Sequence, residues 1–333
     1  MQTMLDRVSV LVPARLHLGF LDLGGSLGRR FGSLGLAISD PFTRISLQRS
    51  SQSLSSGPDS ARASRHLARL QRFLDLTRQS HHLHVDSAIP PHAGLGSGTQ
   101  MALAVAAALR RLHGLELDVR GDAALLERGA RSGIGIGLFE TGGLVLDGGR
   151  TPVSGPPPIL ARLEFPPEWR IVLVLDHKVE GAHGPAEIKA FEALPRFSDA
   201  LAGELCRLAV MQAMPAVVER DLDAFGSAIT EIQQRLGDYF APAQGGRYTS
   251  PRVALALDRL ADLGATGIGQ SSWGPTGFAF TASEDKARSL LDHLTSSGAA
   301  QGLDVRIVSA SNRPAAIAAG ELALDCMTTD HRP

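Results

Sequence analysis

This chain of 333 residues contains little lysine and has almost no net charge. Its three lysines, Lys178, Lys189 and Lys286, leave few candidates for a Schiff base, so pyridoxal phosphate (PLP) is not expected as a cofactor. The formal net charge is −1, which removes the bulk attraction on which binding to nucleic acid or an anionic membrane depends. We therefore expect small-molecule substrates as partners, with no nucleic acid and no membrane.

Cysteine and long apolar runs are scarce as well. The two cysteines, Cys206 and Cys326, lie far apart and lack metal-ligand spacing, so neither a disulfide nor a metal site is expected from them. The N-terminus has no apolar signal region, and no uninterrupted apolar run is long enough to span a bilayer. The sequence predicts a cytoplasmic protein.

The composition that is present suits a globular protein of two domains. Hydrophobic residues make up 44% of the chain and charged residues 20%, which is enough to build a normal core. A proline-rich segment without periodicity, residues 151–167, marks a boundary. We predict an N-terminal domain over residues 1–155 and a C-terminal domain over residues 168–333, each with strand-like and helical patterns.

A glycine-rich loop, residues 90–100, runs directly into an Ala- and Leu-rich helical segment at residues 101–112. Its three glycines expose backbone N–H groups at a helix N-terminus, where the helix dipole also favours an anion. Ser97 and Thr99 add hydroxyl donors or cap the helix. The loop matches neither the Walker A pattern nor the dinucleotide fingerprint. These residues are compatible with a phosphate site and also with an ordinary helix start.

The same loop resembles the Pro-x-x-x-Gly-Leu-Gly-Ser-Ser/Gly phosphate loop of the GHMP kinases. The matching residues are Gly94, Leu95, Gly96, Ser97 and Gly98. A second Gly- and Ser-rich segment, residues 267–277, stands where that superfamily has its C-terminal glycine motif. The resemblance implies an α+β, GHMP-kinase-like fold with an N-terminal ribosomal-S5-like domain and a C-terminal ferredoxin-like domain. The site is then expected between the domains.

Residues 132–135, Ser-Gly-Ile-Gly, depart from the kinases in that superfamily, which have an aspartate at the position of Gly135. That aspartate activates the accepting hydroxyl, and general-base help of this kind is worth about 10²–10⁴-fold. With residues 15–17 and 270–276, this segment resembles a non-kinase branch instead, the β-ribofuranosylaminobenzene 5′-phosphate synthases. The resemblance extends over residues 12–280.

Enzymes of that branch join 5-phosphoribosyl 1-diphosphate to a para-substituted benzoate, 4-aminobenzoate or 4-hydroxybenzoate, in tetrahydromethanopterin biosynthesis. They release CO₂ and diphosphate. The resemblance implies the same C-ribosyltransferase reaction here, with Mg²⁺ and without ATP. Anion-binding loops, arginines and Mg²⁺ suit a reaction that stabilises a leaving diphosphate.

The candidate site residues lie in these segments. For catalysis we expect Asp22, Glu140 and His17. For substrate binding we expect Arg15, Gly94, Leu95, Gly96, Ser97, Gly98, Thr99, Gln270, Ser271, Ser272 and Trp273. The sequence identifies no metal ligands.

Several of these residues could have a structural role instead of a functional one. Arg15 and His17, two apart on one strand face, suit a phosphate or carboxylate, or else a structural ion pair and a satisfied histidine. Asp22 is either a metal or ribose ligand or a turn former. Glu140 is either a metal or ribose contact or a structural residue. Trp273 either stacks on an aromatic substrate or is a structural tryptophan.

Two other functions are compatible with the sequence. A small-molecule kinase would need ATP and a base other than Gly135. A non-catalytic ligand sensor would bind the phosphorylated compound without turnover and would present a partner surface. A homodimer is what the superfamily suggests.

Overall fold

The computed structural model describes residues 5–181, 184 and 194–322, and within them two β-sheets carry the fold. The first sheet contains β1 (Arg7–Asp22), β2 (Phe31–Arg49), β3 (Leu54–Ser56), β4 (His81–Ser87), β5 (Leu144–Asp147), β6 (Ile159–Leu163) and β11 (Ala316–Ala319). The second contains β7 (Arg170–Leu175), β8 (Thr266–Gln270), β9 (Gly277–Thr281) and β10 (Asp304–Val308).

Helices cover both sheets. They are α1 (Ser60–Phe73), α2 (Ser97–Leu112), α3 (Val119–Leu125), α4 (Ile134–Thr141), α5 (Asp199–Leu208), α6 (Met214–Glu219), α7 (Leu222–Gln244), α8 (Pro251–Asp262) and α9 (Glu284–Ser296). A π-helical turn, Ala209–Ala213, joins α5 to α6. The first sheet has the order β11-β1-β2-β4-β3, with β5 beside β2 and β6 beside β5, and the second has the order β10-β7-β9-β8.

β1 is long and almost continuously apolar because it contributes to two cores. Val8 and Val10 pack with α1 and α2 in the core of the first sheet. Beyond a bulge after residue 13, Leu16 and Leu18 pack instead with α7 and with phenylalanines of the second sheet. The two sheets therefore share one hydrophobic cluster, and β1 connects the interior of one to the interior of the other.

α2 lies inside the N-terminal core and is buried on nearly all sides. Its alanine-rich sequence lets the helix approach β1, β2, α1 and α4 closely, because small side chains keep the backbones near one another. Alanine is also the strongest helix former. The helix is thus held rigidly, and its N-terminus has a fixed position relative to both sheets.

The α+β architecture expected from the sequence is confirmed, and most elements lie within a few residues of their predicted positions. The domain boundary stays a prediction, and two strands pair across the chain. β6 lies inside the proline-rich segment and pairs with β5, while β11 returns from the C-terminal part to pair with β1. Proline clusters on either side of this five-residue strand hide its pattern, and the return of β11 has no local signal.

The helical run Asp199–Glu219 has the length and hydropathy of a membrane-crossing helix, although a core helix of a soluble protein meets the same criteria. In this protein Leu205, Ala209 and Ala216 of the run are buried in the cluster shared by the two sheets. Part of the run is thus packed in the core, while Val210, Met211 and Val218 are exposed.

Candidate active site

The glycine-rich loop ends in a left-handed residue at the start of α2. Gly96 is the N-cap residue with φ of 82°, and Gly94 has φ of 77°. Side chains rarely adopt this backbone conformation, because Cβ then approaches the following carbonyl oxygen. The two glycines therefore turn the chain sharply from the end of β4 into the first turn of the helix.

The two glycine-rich segments pack backbone against backbone. The hydroxyl of Ser271 donates to the carbonyl oxygen of Gly94 at 2.7 Å, and that of Thr276 donates to the carbonyl oxygen of Ala93 at 2.7 Å. A Cβ atom on Gly94 would lie 2.1 Å from the carbonyl oxygen of Ser271. Gly94 is thus required by the contact between the loops.

Arg15 lies across the glycine loop from β1. Its Nη1 donates to the carbonyl oxygen of Gly94 at 2.6 Å, and its backbone N–H donates to the carbonyl oxygen of Leu95 at 3.1 Å. A Cβ atom on Gly96 would lie 2.9 Å from Cγ of Arg15. At Gly94 and Gly96 the space that a side chain would occupy is therefore filled by the protein itself. Leu95 is buried in the core, so only its backbone faces the loop.

His17, two residues along β1, lines a partly open cleft between the two sheets. Aromatic and apolar side chains form much of its wall, and glutamines and an arginine provide the polar groups. The lining residues are His17, Gly19, Phe20, Gln233, Leu236, Gly237, Phe240, Gln244, Arg247, Gln270, Ser272 and Trp273. Such a mixture suits a flat aromatic molecule with polar substituents.

The surroundings of His17 favour the neutral form of its imidazole, and one ring nitrogen has no partner among the described residues. The side chain is 3% exposed, and burial, together with the charge of Arg15, holds the pKa of His17 well below its usual value. The ring is hydrogen bonded to its own backbone, and no hydrogen-bond partner contacts Nε2. A ring proton on one nitrogen leaves the other as an acceptor, and Nε2, which is itself buried, has no partner among the described residues.

Trp273 and Gln270 form one side of the cleft. The Trp273 ring lies 4.6 Å from the ring of Phe240, centroid to centroid, and is 5% exposed. The Gln270 amide is held by the protein, since its Oε1 accepts from the backbone N–H of Thr249 at 2.7 Å and its Nε2 donates to the carbonyl oxygen of Ser272 at 3.1 Å. Gln270 therefore shapes the wall, and Trp273 is both packed and at the cleft.

Ser271 joins the cleft to the glycine loop. Besides donating to Gly94, its hydroxyl accepts a hydrogen bond from the backbone N–H of His17 at 3.0 Å. Ser271 is fully buried. The substrate contact predicted for it stays a prediction, whereas its structural role in fixing His17 against the loop is visible.

Two arginines that the sequence does not single out lie over the first turn of α2. A Cβ atom on Gly98 would lie 3.3 Å from Nη1 of Arg128 and 3.9 Å from Nη1 of Arg62. Nη1 of Arg62 also reaches Oγ of Ser97 at 3.5 Å. Arg62 lies on α1 and Arg128 follows α3, so only the tertiary fold brings them together. No local motif reveals either residue.

Asp22 and Glu140, the two predicted catalytic carboxylates, are not among the residues that line the cleft. Oδ1 of Asp22 accepts from the backbone N–H groups of Gly24 and Gly25 at 2.8 and 2.9 Å, which is the turn-forming arrangement. Glu140 lies near the end of α4, where desolvation raises the pKa of its carboxyl and the charge of Arg120 opposes this. Within the described residues, no hydrogen bond or salt bridge joins either carboxylate to the glycine loop, and their catalytic roles stay predictions.

Gly135 lies against the glycine loop, as its place in the sequence suggests. A Cβ atom there would lie 2.9 Å from Cγ2 of Thr99, so a larger side chain would displace Thr99. Nearby, Asp147 accepts from the backbone N–H of Gly133 at 2.8 Å and of Gly149 at 2.9 Å. The Asp147 carboxylate anchors the turn before α4 and is not directed to a ligand.

Fold and site together define the class of protein. The chain matches the family described as GHMP kinases N terminal domain over residues 61–143 and the family described as GHMP kinases C terminal over residues 213–300. The homoserine kinase of Cytophaga hutchinsonii has a similar structure, with a TM-score of 0.69 and 19% identity, over 96% of this chain and 99% of that one. The expected GHMP-kinase-like fold is confirmed.

Sequence identity then distinguishes the branch. The chain is 37% identical to the beta-ribofuranosylphenol 5′-phosphate synthase of Archaeoglobus fulgidus, over 86% of this chain and 92% of the relative. It is 30% identical to the synthase of the same name from Methanothermobacter thermautotrophicus, over 84% of this chain and 90% of the relative. The chain belongs to the beta-ribofuranosylphenol 5′-phosphate synthase family and is an enzyme of the pentosyltransferase type.

Proposed function

We propose that this protein joins 5-phosphoribosyl 1-diphosphate to 4-hydroxybenzoate, releasing CO₂ and diphosphate, as a step of tetrahydromethanopterin biosynthesis in the cytoplasm. One observation carries the proposal. Two residues apart on β1, Arg15 contacts the glycine loop and His17 lines the aromatic cleft. Because a strand rises about 3.3 Å per residue, an anion at the loop and a ring in the cleft are within the reach of one ribose.

The hydroxyl on the ring follows from the name of the relatives, which specifies a phenol. The structure supports either ring, since the neutral His17 Nε2 accepts a hydrogen bond from a para-hydroxyl or a para-amino group alike. Such a hydrogen bond increases the electron density of the ring. 4-Aminobenzoate is therefore the alternative acceptor.

The chemistry needs positioning and charge stabilisation rather than a net proton transfer. The C1–O bond of the sugar breaks, and both electrons leave with diphosphate. The ring carbon that bears the carboxylate forms the new carbon–carbon bond to C1. The bond to the carboxylate then breaks, CO₂ leaves, and its electron pair restores the aromatic ring. The protein must therefore hold the anion, orient the ring and exclude water.

Residues around the loop favour this reaction over phosphate transfer to an alcohol. The kinase base position is Gly135, which is packed against Thr99 and has no room for a carboxylate without a shift. The ionisable group that lines the cleft on β1 is a neutral histidine, suited to accept a hydrogen bond. We propose that ATP is not a substrate.

Mg²⁺, which the resemblance implies, fits as a companion of the substrate. Among the residues that the structure describes, no group of three or more His, Cys, Asp or Glu side chains could hold a metal ion. Mg²⁺ commonly keeps several waters and is bound largely through substrate phosphates. We propose that the metal enters as the complex with phosphoribosyl diphosphate, whose charge it partly neutralises.

The test is to incubate the protein with carboxyl-labelled 4-hydroxybenzoate, 5-phosphoribosyl 1-diphosphate and Mg²⁺, and to measure labelled CO₂ and diphosphate together. We expect equal amounts of the two products, and no CO₂ when either substrate is omitted. Replacing the sugar donor by ATP and ribose 5-phosphate is the control for a kinase. Phosphate transfer from ATP at about 1 s⁻¹ or faster, without CO₂ release, would overturn the proposal.

A further inference from the structure

The two arginines over the start of α2 form a basic cluster with an unusual feature. Both guanidinium groups approach the same residue, Gly98, at the positively polarised end of a buried helix. The Arg62 side chain is 16% exposed and that of Arg128 is partly buried. Two like charges are thus held together where water is limited.

The charges of this cluster are only partly balanced. Arg62 forms a salt bridge with Asp59, and the neighbouring Arg69 pairs with Glu127 at 2.8 Å. In the described part of the chain, no carboxylate lies within salt-bridge distance of Arg128, and its Nε has no hydrogen-bond partner. Burial and the charge of Arg62 lower the pKa of Arg128. The protein therefore holds an excess of positive charge at this point.

A buried histidine lies within electrostatic range of the same two arginines. His66 on α1 is 8% exposed, and its Nε2 has no hydrogen-bond partner. Burial, followed by the charges of Arg128 and Arg62, lowers the pKa of His66 to about 4. An anion bound at the two arginines would offset their charge and would therefore raise the pKa of His66 towards its usual value.

We propose that Arg62 and Arg128 bind the diphosphate group of the sugar donor over the first turn of α2. Guanidinium groups match phosphate geometry with paired donors, and the N–H groups of the helix start add further donors. A diphosphate carries more charge than the 5-phosphate and spans more donors, which suits two guanidiniums and a helix N-terminus. The assignment of the donor rests on the proposed function, whereas diphosphate binding is testable alone.

The position of the diphosphate fixes the orientation of the sugar donor in the site. Diphosphate held at Ser97 and Gly98 is fixed by charge as the sugar C1–O bond lengthens, because the guanidiniums stabilise the negative charge that develops on the leaving oxygen. The ribose then extends from the helix start towards Arg15 and the cleft. Arg62 and Arg128 are accordingly binding residues for the leaving group.

The experiment is a calorimetric titration of the full-length protein with inorganic pyrophosphate and Mg²⁺. We expect Arg128→Gln to weaken pyrophosphate binding by about 10-fold or more, as expected for a charged hydrogen bond, and Arg62→Gln to weaken it similarly. Arg65→Gln is the matched control, because Arg65 lies on the same helix and is exposed. Its pyrophosphate affinity should change by less than about twofold. Unchanged affinity in a folded Arg128→Gln protein would overturn the proposal.

Melting temperatures measured with and without pyrophosphate distinguish a loss of binding from a loss of stability. Without an anion, Arg128→Gln should melt no lower than the wild type, because the substitution relieves repulsion between like charges. With pyrophosphate the melting temperature of the wild type should rise, and that of Arg128→Gln should rise much less. Arg128 would have only a structural role if Arg128→Gln melted several degrees below the wild type and pyrophosphate raised the melting temperature of both proteins equally.

Parallel titrations separate the possible sources of the anion. Phosphoribosyl diphosphate should lose affinity in Arg128→Gln, while ribose 5-phosphate should not, since it lacks the diphosphate. Suppose that Arg128→Gln weakens the binding of ATP as strongly as that of phosphoribosyl diphosphate, and that the synthase assay releases no CO₂. The anion site would then stand and the proposed function would be rejected. CO₂ release that does not depend on Arg128 would support the proposed function and reject the anion site.

Discussion

The start of α2 and the cleft beside β1 are adjacent, but they differ in nearly every physical respect. The helix start presents backbone N–H groups and two guanidiniums with an excess of positive charge. The cleft presents aromatic rings and a neutral imidazole. Ser271 and Arg15 join the two regions with hydrogen bonds to the same carbonyl oxygen, that of Gly94. Under the proposed function, the helix start holds the highly charged donor and the cleft holds the flat aromatic acceptor, so that the two sets of requirements do not mix.

The largest expected effect is that of Trp273→Ala, which should damage the cleft alone. The ring is 5% exposed and packs on Phe240, so its removal should lower the free energy of unfolding by about 3–5 kcal/mol. Affinity for 4-hydroxybenzoate should fall, while affinity for pyrophosphate should not. Denaturant unfolding and two titrations measure these quantities. Equal losses for both ligands would show that the two regions are not separable.

Gly94→Ala should damage both regions, because Gly94 lies where they join. A left-handed backbone costs an alanine about 1–2 kcal/mol, and the contact with Ser271 adds about 1–3 kcal/mol of overpacking. We expect a loss of about 2–5 kcal/mol in the free energy of unfolding and weaker binding of both ligands. Gly155→Ala, at a position with no atom within 4 Å, is the control. A neutral Gly94→Ala would contradict the packing of the two loops.

Acid should destabilise the protein through histidines in both regions. The pKa of His66 is about 4 in the folded protein and about 6.5 when unfolded, so the unfolded chain binds more protons between those values. Stability is therefore full above about pH 6.5 and falls as the pH decreases to about 4, with His66 contributing on the order of 2 kcal/mol. Thermal melts of wild type and His66→Gln between these pH values measure it. Parallel acid profiles for the two proteins would contradict the assignment.

The smallest expected effect is that of His17→Phe, which keeps a ring and removes the nitrogens. Loss of one hydrogen bond to the para substituent should weaken 4-hydroxybenzoate binding by about 0.5–1.5 kcal/mol, roughly 2- to 13-fold. Pyrophosphate affinity should be unchanged. A Michaelis constant for 4-hydroxybenzoate equal to that of the wild type would leave His17 with a packing role.

The sequence predicts the charged region only in part. The glycine loop is visible because Gly94, Gly96 and Ser97 are consecutive with a strong helix signal, and local patterns of this kind survive folding. Arg62 and Arg128 are 66 positions apart and become neighbours only through the packing of α1 and α3 around α2. Nothing in their local sequences distinguishes them from other surface arginines.

The fold shows the same limit. Long helices such as α7 and α8 are recognisable in the sequence from their apolar periodicity. α4 escapes prediction because two of its eight residues are glycines, which disfavour helices by about 1 kcal/mol each relative to alanine. Its packing against β5 and α2 overrides that propensity. Residues 183–187, which the sequence suggests as a substrate loop, lie outside the described residues apart from residue 184.

The most direct test of the two-region account is a pair of affinities measured on a pair of variants. Pyrophosphate and 4-hydroxybenzoate are each titrated into Arg128→Gln and His17→Phe, with the wild type as reference. The account predicts that Arg128→Gln loses pyrophosphate affinity by about 10-fold and keeps benzoate affinity, while His17→Phe loses benzoate affinity by roughly 2- to 13-fold and keeps pyrophosphate affinity. Benzoate affinity that depends on Arg128 and not on His17 would place the ring at the helix start and contradict the account.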